Sequence, residues 1–121
     1  MLSAEGLKTS VRREIARILN TRSPLEWEEF MKRPLSVIDF GLPDFSGWSV
    51  QDPRTLQRLS GAIERALDAF EPRIDDVRVE VRHDRSTHRL VVDVACDLPL
   101  GGEVEAVSFR DLSVANGDRR T

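Results

Sequence analysis

The sequence predicts an α+β fold in which N-terminal helices pack on one face of a small antiparallel β-meander. Apolar residues recur at a helical spacing as far as Phe70, and from Val77 onward they alternate with polar residues instead. The first period is typical of amphipathic helices and the second of half-buried strands. Because short turns separate the predicted strands, neighbouring strands are antiparallel, and helices can cover one face of such a sheet.

The length and composition of the chain favour one folded domain. The chain has 121 residues, 40% hydrophobic and 32% charged, so we expect residues 1–121 to form a single domain with short flexible ends. A net charge of −3 argues against a protein that coats nucleic acid. The sequence has no apolar run of about 20 residues and no secretory signal pattern. We therefore expect a cytoplasmic protein without direct membrane insertion.

The first predicted helix covers residues 10–20. We expect Thr9 or Ser10 to cap its start and Asn20 to stop it. Its apolar positions recur at spacings of three and four, as in a helix with one buried stripe. They are Val11, Ile15, Ile18 and Leu19.

A second, shorter helix is predicted over residues 24–31. The run Ser23-Pro24-Leu25-Glu26 has the pattern of a capping box with proline at the first helical position. Residues 35–51 are expected to be irregular, with a briefly extended stretch at 36–40. Large apolar side chains in an irregular segment favour packing on the core or on a partner, and the sequence leaves both open. They are Phe40, Leu42, Phe45 and Trp48.

The longest predicted helix opens at Asp52-Pro53 and ends near Phe70. Asp52 is a favoured N-cap residue, and proline is favoured at the first helical position. Pro72 disfavours helical geometry at Glu71, so the helix stops there.

Three strands are predicted after this helix. The first contains the alternating valines at 77, 79 and 81, the second covers 90–98, and the third covers 103–109 and resumes at 112–114. The alternation slips between Ala106 and Val107, which indicates a bulge or burial on both faces. The polar tail at 116–121 is expected to fray.

No catalytic, metal-binding or cofactor-binding site is evident in the sequence. Cys96 is the only cysteine, and its inward phase favours a buried hydrophobe over a nucleophile. His83 and His88 flank a predicted turn without a third strong ligand, which favours exposed histidines over a zinc site. Carboxylates near the second helix start are explained by the helix dipole. We therefore expect no catalytic residues, no metal and no cofactor.

The run Glu71-Pro72-Arg73 is the most unusual local feature. It lies at the junction between the long helix and the first strand, and Pro72 restricts the backbone there. One interpretation is a helix stop followed by solvated charges. The other is a rigid charged corner that forms bidentate pairs with another chain.

Three segments together resemble the TssE family of type VI secretion baseplate proteins, which belongs to the wider phage baseplate wedge "lysozyme-like" family. The resemblance covers about residues 8–114. Asp39-Phe40 stands where the family often has Asn-Tyr, and Ile74 where it often has Leu. The segments are Ile18-Leu19-Asn20-Thr21-Arg22, then Ser36-Val37-Ile38-Asp39-Phe40-Gly41-Leu42-Pro43-Asp44, then Phe70-Glu71-Pro72-Arg73-Ile74.

The resemblance implies a structural subunit that joins the baseplate wedge and helps to initiate assembly of the contractile sheath. It implies other wedge subunits and sheath proteins as partners, and Glu71, Pro72 and Arg73 as partner-binding residues. Replacing Arg73 by Asp is then expected to abolish sheath assembly while the isolated protein stays folded. The lysozyme label of the family does not establish hydrolase activity.

Two alternatives stay open at the level of the sequence. One is a peptidoglycan-degrading glycoside hydrolase, which needs two carboxylates across a cleft, one of them with a raised pKa. The other is a baseplate subunit of a contractile phage tail, although the Leu-Asn-Thr-Arg portion favours the secretion branch of the family.

Overall fold

A computed structural model describes residues 3–114 of the chain, so the predicted fraying of 116–121 falls outside the described residues. The three strands form one antiparallel sheet in the order β1-β2-β3. The predicted α+β arrangement, with helices followed by a meander, is confirmed. The elements are helices α1 (Ala4–Leu19), α2 (Trp27–Lys32) and α3 (Pro53–Phe70), a 3₁₀ helix (Val37–Asp39), and strands β1 (Asp75–Asp84), β2 (Arg89–Leu100) and β3 (Glu103–Val114).

The core lies between the sheet and the two long helices. Helix α3 lies against β1, α1 lies against β3, and the two helices contact each other. The apolar stripes predicted for both helices face this core, as does the inward set of β2. The core side chains include Val11, Ile15, Ile18, Leu19, Leu59, Ile63, Leu67, Leu90, Val92, Val94, Cys96 and Leu98.

Helix α1 begins six residues earlier than the sequence predicts. Ser3 is its N-cap, and the Ser3 Oγ accepts a hydrogen bond from the Gly6 N–H at 3.0 Å. The prediction of a start at Thr9 or Ser10 is therefore wrong, because the first turn is fixed by a cap rather than by buried residues. The predicted stop at Asn20 is confirmed.

The predicted capping box at Ser23 is also wrong. The Ser23 Oγ accepts from the Leu25 N–H at 3.2 Å, which makes a local turn, and α2 begins only at Trp27. The reciprocal capping box lies instead at Ser36 and Asp39, on either side of the first turn of the 3₁₀ helix. Residues 37–39 are thus helical rather than extended.

The irregularity in β3 lies three to four residues after the predicted slip. The β2–β3 register shifts between Val92 and Val94, opposite Arg110 and Asp111. Asp111 has a φ of 61°, and its N–H donates to the Asp93 Oδ1 at 2.9 Å. The bulge keeps both Phe109 and Leu112 on the core side.

Candidate interaction surface

Backbone hydrogen bonds join the first two motif segments. The Leu42 N–H donates to the Thr21 carbonyl oxygen at 2.9 Å, and the Ser23 N–H donates to the Leu42 carbonyl oxygen at 2.7 Å. Arg22 and Leu42 thereby form an isolated parallel bridge. Gly41 has a φ of 111°, and a Cβ at this position would lie 2.5 Å from the Thr21 carbonyl oxygen. Only glycine fits this close approach, which gives the two segments a physical reason to occur together.

The apolar loop at 40–48 packs on the core of its own chain. Leu42 and Phe45 are fully buried, while Phe40 and Trp48 are half-buried. The Arg22 guanidinium lies 4.7 Å from the centroid of the Phe45 ring. Burial beside this ring lowers the pKa of Arg22 from its ordinary value. The sequence left open whether this loop packs on the core or on a partner, and in the structure it packs on the core.

Phe40 connects this loop to the third motif segment. Its ring centroid lies 5.2 Å from that of Phe70, the residue before Glu71. On α1, the Arg17 guanidinium lies 4.4 Å from the Phe40 ring centroid and pairs with the Glu14 carboxylate at 3.0 Å. The three motif segments, distant in sequence, are therefore connected through the Arg22–Leu42 bridge and the Phe40–Phe70 contact.

Glu71 and Arg73 form a bidentate ion pair within the chain. The Arg73 Nε and Nη2 donate to the two carboxylate oxygens of Glu71 at 2.9 and 2.8 Å, and the Arg73 N–H donates to Glu71 Oε1 at 3.1 Å. The Arg73 Nη1 also donates to the Ser10 Oγ at 2.9 Å, which ties the corner to α1. Hydrogen bonding to Glu71 raises the pKa of Arg73. This geometry makes the corner rigid.

The two charged residues of this corner differ in what they can present to a partner. The side chain of Glu71 is 1% exposed and that of Arg73 is 37% exposed. Pro72 is exposed. The Glu71 carboxylate is therefore committed to its own chain, and the outer edge of the guanidinium and Pro72 are the parts within reach of another protein. The role of this corner in partner binding stays a prediction.

The same geometry changes how Arg73 is tested. Replacing Arg73 by Asp places a second carboxylate beside buried Glu71, and two close carboxylates repel each other. The expectation that such a variant stays folded therefore has no support in the arrangement of the corner. Variants that remove the buried charge as well as the guanidinium are better suited to separate folding from binding.

Two exposed apolar side chains were not singled out by the sequence patterns. Val37 and Ile38 are 85% and 77% exposed on the 3₁₀ helix, beside Phe40. The Ser36 N–H donates to the Asp39 Oδ2 at 2.9 Å, and Asp39 is buried, so the turn that carries them is fixed. The Ser-x-x-Asp spacing was the signal that could have indicated this turn.

Cys96 and the possible metal ligands are the remaining chemistry-bearing side chains of residues 3–114. Burial raises the pKa of the Cys96 thiol to about 11, so the reactive thiolate is disfavoured. Within residues 3–114 no group of histidine, cysteine and acidic side chains is arranged to hold a metal ion. None of the helices in that part of the chain is long and apolar enough to cross a bilayer.

The family model of the baseplate wedge protein gp25 matches residues 5–100, which include all three motif segments and the Glu71–Arg73 corner. The chain belongs to the gp25 baseplate wedge family. This confirms the wider family predicted from the three motif segments, and it makes the protein a structural baseplate component.

The fold has a counterpart among solved structures. A chain in the baseplate complex from the type VI secretion system superposes with a TM-score of 0.61 at 22% sequence identity. The match covers 92% of the present gp25-family chain and 96% of that chain. Comparison with curated protein sequences gave no match.

Proposed function

We propose that this gp25-family protein is a non-enzymatic subunit of a type VI secretion baseplate, in the cytoplasm, that joins the wedge and helps to initiate the contractile sheath. The proposed role in sheath initiation is based on a difference between the two edges of the sheet. A free edge can accept an extended segment from another chain through main-chain hydrogen bonds.

A side chain of α3 occupies one backbone donor near the middle of the β1 edge. The Val79 N–H, a backbone group of β1, donates to the Glu64 Oε2 at 3.0 Å. A carboxylate at this position competes with the carbonyl oxygen of an incoming strand. Strand addition at β1 therefore first requires the displacement of Glu64.

The β3 edge is closed only at its C-terminal end. There the Arg12 Nη2 donates to the Arg110 carbonyl oxygen at 3.0 Å, and the Asn20 Nδ2 donates to the Ser113 carbonyl oxygen at 3.1 Å. Residues 103–109 pair with β2 on one side, and within the part of the chain that the structure describes no helix or loop hydrogen-bonds to their backbone on the other side; Lys8 of α1 reaches only the Glu105 side chain there. Val104, in this stretch, is 65% exposed. Residues 103–109 are therefore the proposed acceptor for a sheath strand.

The Glu71-Pro72-Arg73 corner is the proposed contact with other wedge subunits. It is held rigid by the in-chain ion pair and by Ser10, so little side-chain entropy is lost when a partner binds the exposed part of Arg73. The fold likeness to a type VI secretion component and the Leu-Asn-Thr-Arg portion favour the secretion system over a phage tail.

Two of the carboxylates that could serve a hydrolase, Asp39 and Glu71, favour the non-enzymatic proposal by their burial. Asp39 and Glu71 are buried and bonded to Ser36 and Arg73 respectively, so neither is presented to a glycan. Measured turnover of purified peptidoglycan by this protein, lost when both residues are changed to their amides, would overturn the proposal.

Sheath initiation is tested with two neighbouring proline variants of β3, Ala106→Pro and Val107→Pro. The N–H groups of successive residues in an edge strand point alternately toward the sheet and away from it. One variant therefore loses an internal hydrogen bond and stability, whereas the other loses only a donor on the free edge. Urea denaturation of both variants shows which one keeps the stability of the wild type and has therefore lost only the edge donor.

The stable variant is then introduced into a complete secretion system. We expect it to co-purify with the wedge subunits and to fail to initiate sheath assembly. Normal sheath assembly in that variant contradicts the proposed β3 acceptor. Failure of the wild-type protein to co-purify with any wedge subunit contradicts the structural role altogether.

A further inference from the structure

The two tryptophans of the chain meet on the surface, outside the three motif segments. Trp27 begins α2 and Trp48 lies in the loop before α3, and their ring centroids are 4.6 Å apart with an interplanar angle of 57°. Arg58, on α3, stacks over both: its Cζ lies 5.2 Å from the Trp27 centroid and 4.5 Å from the Trp48 centroid. We call these three residues the Trp–Arg surface. Both indoles are half-buried and Arg58 is exposed.

Arg58 differs from Arg17 and Arg73 in its polar contacts. Arg17 and Arg73 each donate to a carboxylate of the chain. No carboxylate within residues 3–114 lies within 4.0 Å of the Arg58 guanidinium, whose neighbours are the two indole faces. Stacking leaves the N–H edge of a guanidinium open to hydrogen bonding. The positive charge and planar fork of Arg58 are thus presented without an internal anion.

We propose that the Trp–Arg surface binds an acidic segment of another baseplate protein, in which a carboxylate side chain stands beside an apolar residue. The carboxylate accepts two hydrogen bonds from Arg58, and the apolar neighbour covers the exposed part of the indoles. Tryptophan and arginine are the side chains most enriched among the residues that dominate binding energy at protein interfaces. This inference rests on the proposed function, because it takes the partner to be a component of the same baseplate.

The stacking prepares Arg58 for this contact. An exposed arginine ordinarily loses rotamer freedom when it forms an ion pair, which offsets much of the gain. Arg58 projects from an 18-residue helix and stacks against two ring systems, so part of that entropy is already lost in the free protein. A partner carboxylate therefore meets a preorganised donor.

Hydroxyl-radical footprinting of the full chain, free and in the co-purified wedge complex, tests whether a partner covers this surface. The chain has two tryptophans, so the oxidation of each can be followed separately by mass spectrometry. We expect both Trp27 and Trp48 to be oxidised more slowly in the complex. Unchanged oxidation of both in an assembled complex overturns the inference and leaves the proposed function standing. Absence of any complex contradicts the proposed function instead.

Substitutions at Arg58 test the chemistry of the partner. We expect Arg58→Glu to weaken binding of the wedge complex by about tenfold or more, Arg58→Gln by less, and Arg58→Lys least, because lysine keeps the charge without the fork. Arg54→Glu is the matched control, since Arg54 lies one turn away on α3 and, among residues 3–114, its ion pair is with Asp52 at 3.8 Å. Equal affinity of Arg58→Gln and wild type overturns the acidic partner. Urea denaturation of each variant separates a loss of binding from a loss of folding.

Discussion

Removing the guanidinium of Arg73 is expected to destabilise the protein far more than removing a surface arginine. Arg73→Ala deletes two charge-assisted hydrogen bonds, at 2.9 and 2.8 Å, and leaves the Glu71 carboxylate at 1% exposure with one backbone donor. Breaking a fully buried pair in this way costs about 3–5 kcal/mol, because the remaining charge is uncompensated. Since the Arg73 side chain is 37% exposed, solvent screens part of this loss and we expect about 2–3 kcal/mol here. With an m-value of about 2 kcal/mol/M, the urea midpoint then falls by about 1–1.5 M.

A second substitution, at Glu71, is expected to restore part of the stability that Arg73→Ala removes. Adding Glu71→Met to Arg73→Ala removes the buried charge and fills a similar volume, so the double variant is expected to be more stable than Arg73→Ala by about 2 kcal/mol. Most pairs of destabilising substitutions lower stability further. Here the second substitution restores stability, because the cost of the first lies in the group that it leaves behind.

The assay is equilibrium urea denaturation at neutral pH, with Arg78→Ala as the control. Arg78 approaches the Asp76 carboxylate at 3.8 Å and both side chains are mostly exposed, so this pair contributes about 0–1 kcal/mol. A double variant no more stable than Arg73→Ala, or equal costs for Arg73→Ala and Arg78→Ala, would refute the argument that Glu71 depends on Arg73 for its burial.

Three further predictions concern other parts of the fold. Gly41→Ala is expected to lower the free energy of unfolding by about 2–4 kcal/mol, because φ is positive there and the added Cβ breaks the hydrogen bond to Thr21. Gly47→Ala, at a φ of 86° with open space around it, is expected to lower it by about 1–2 kcal/mol. Thermal and urea denaturation compare the two variants. Cys96, with a thiol pKa of about 11 and no exposed surface, is expected to resist alkylation by iodoacetamide in the native protein and to react once the protein is unfolded in urea, as followed by mass spectrometry. The hydrogen bond from the Asp111 N–H holds the pKa of Asp93 below its ordinary 3.8. This carboxylate therefore stabilises the fold fully above that pH, and its contribution is lost as the pH falls below it. In Asp93→Asn, the melting temperature should consequently fall less between about pH 6 and pH 2 than in the wild type.

Each of these has an outcome that contradicts it. Equal losses for the two glycine variants would mean that the Thr21 contact places no constraint on Gly41. Rapid alkylation of the native protein would place Cys96 at the surface. An acid limb in Asp93→Asn as steep as in the wild type would assign the loss of stability to other carboxylates.

Local signals in the sequence were sufficient for the parts of the fold that local energies decide. The start of α3 follows from the N-cap Asp52 and from Pro53, and its end from Pro72, because caps and prolines act within a few residues of where they stand. The alternation from Val77 onward predicts the meander for the same reason, since the pleat of a strand repeats every two residues. The early start of α1 at Ala4 was missed because its first turn carries a cap and few apolar residues.

The candidate site depended on contacts that no local pattern contains. The motif segments were visible in the sequence and led to the gp25 family. The sequence indicated Glu71 and Arg73 as a charged corner, but their pairing with each other and with Ser10, 63 residues away, required the packing of α1 against that corner. The same holds for the Trp–Arg surface, which combines three elements.

The sequence by itself therefore determined the α+β class, the order of the elements and the family of this protein. The tertiary structure decided that Asp39 and Glu71 are buried, that Glu64 of α3 bonds to the β1 edge, and that Arg58 stacks on two indoles with no carboxylate of residues 3–114 beside it. The physical reason is the range of the interactions. Periodicity, capping and proline effects act between near neighbours in the chain, whereas burial and charge compensation are set by side chains that only the folded packing brings together.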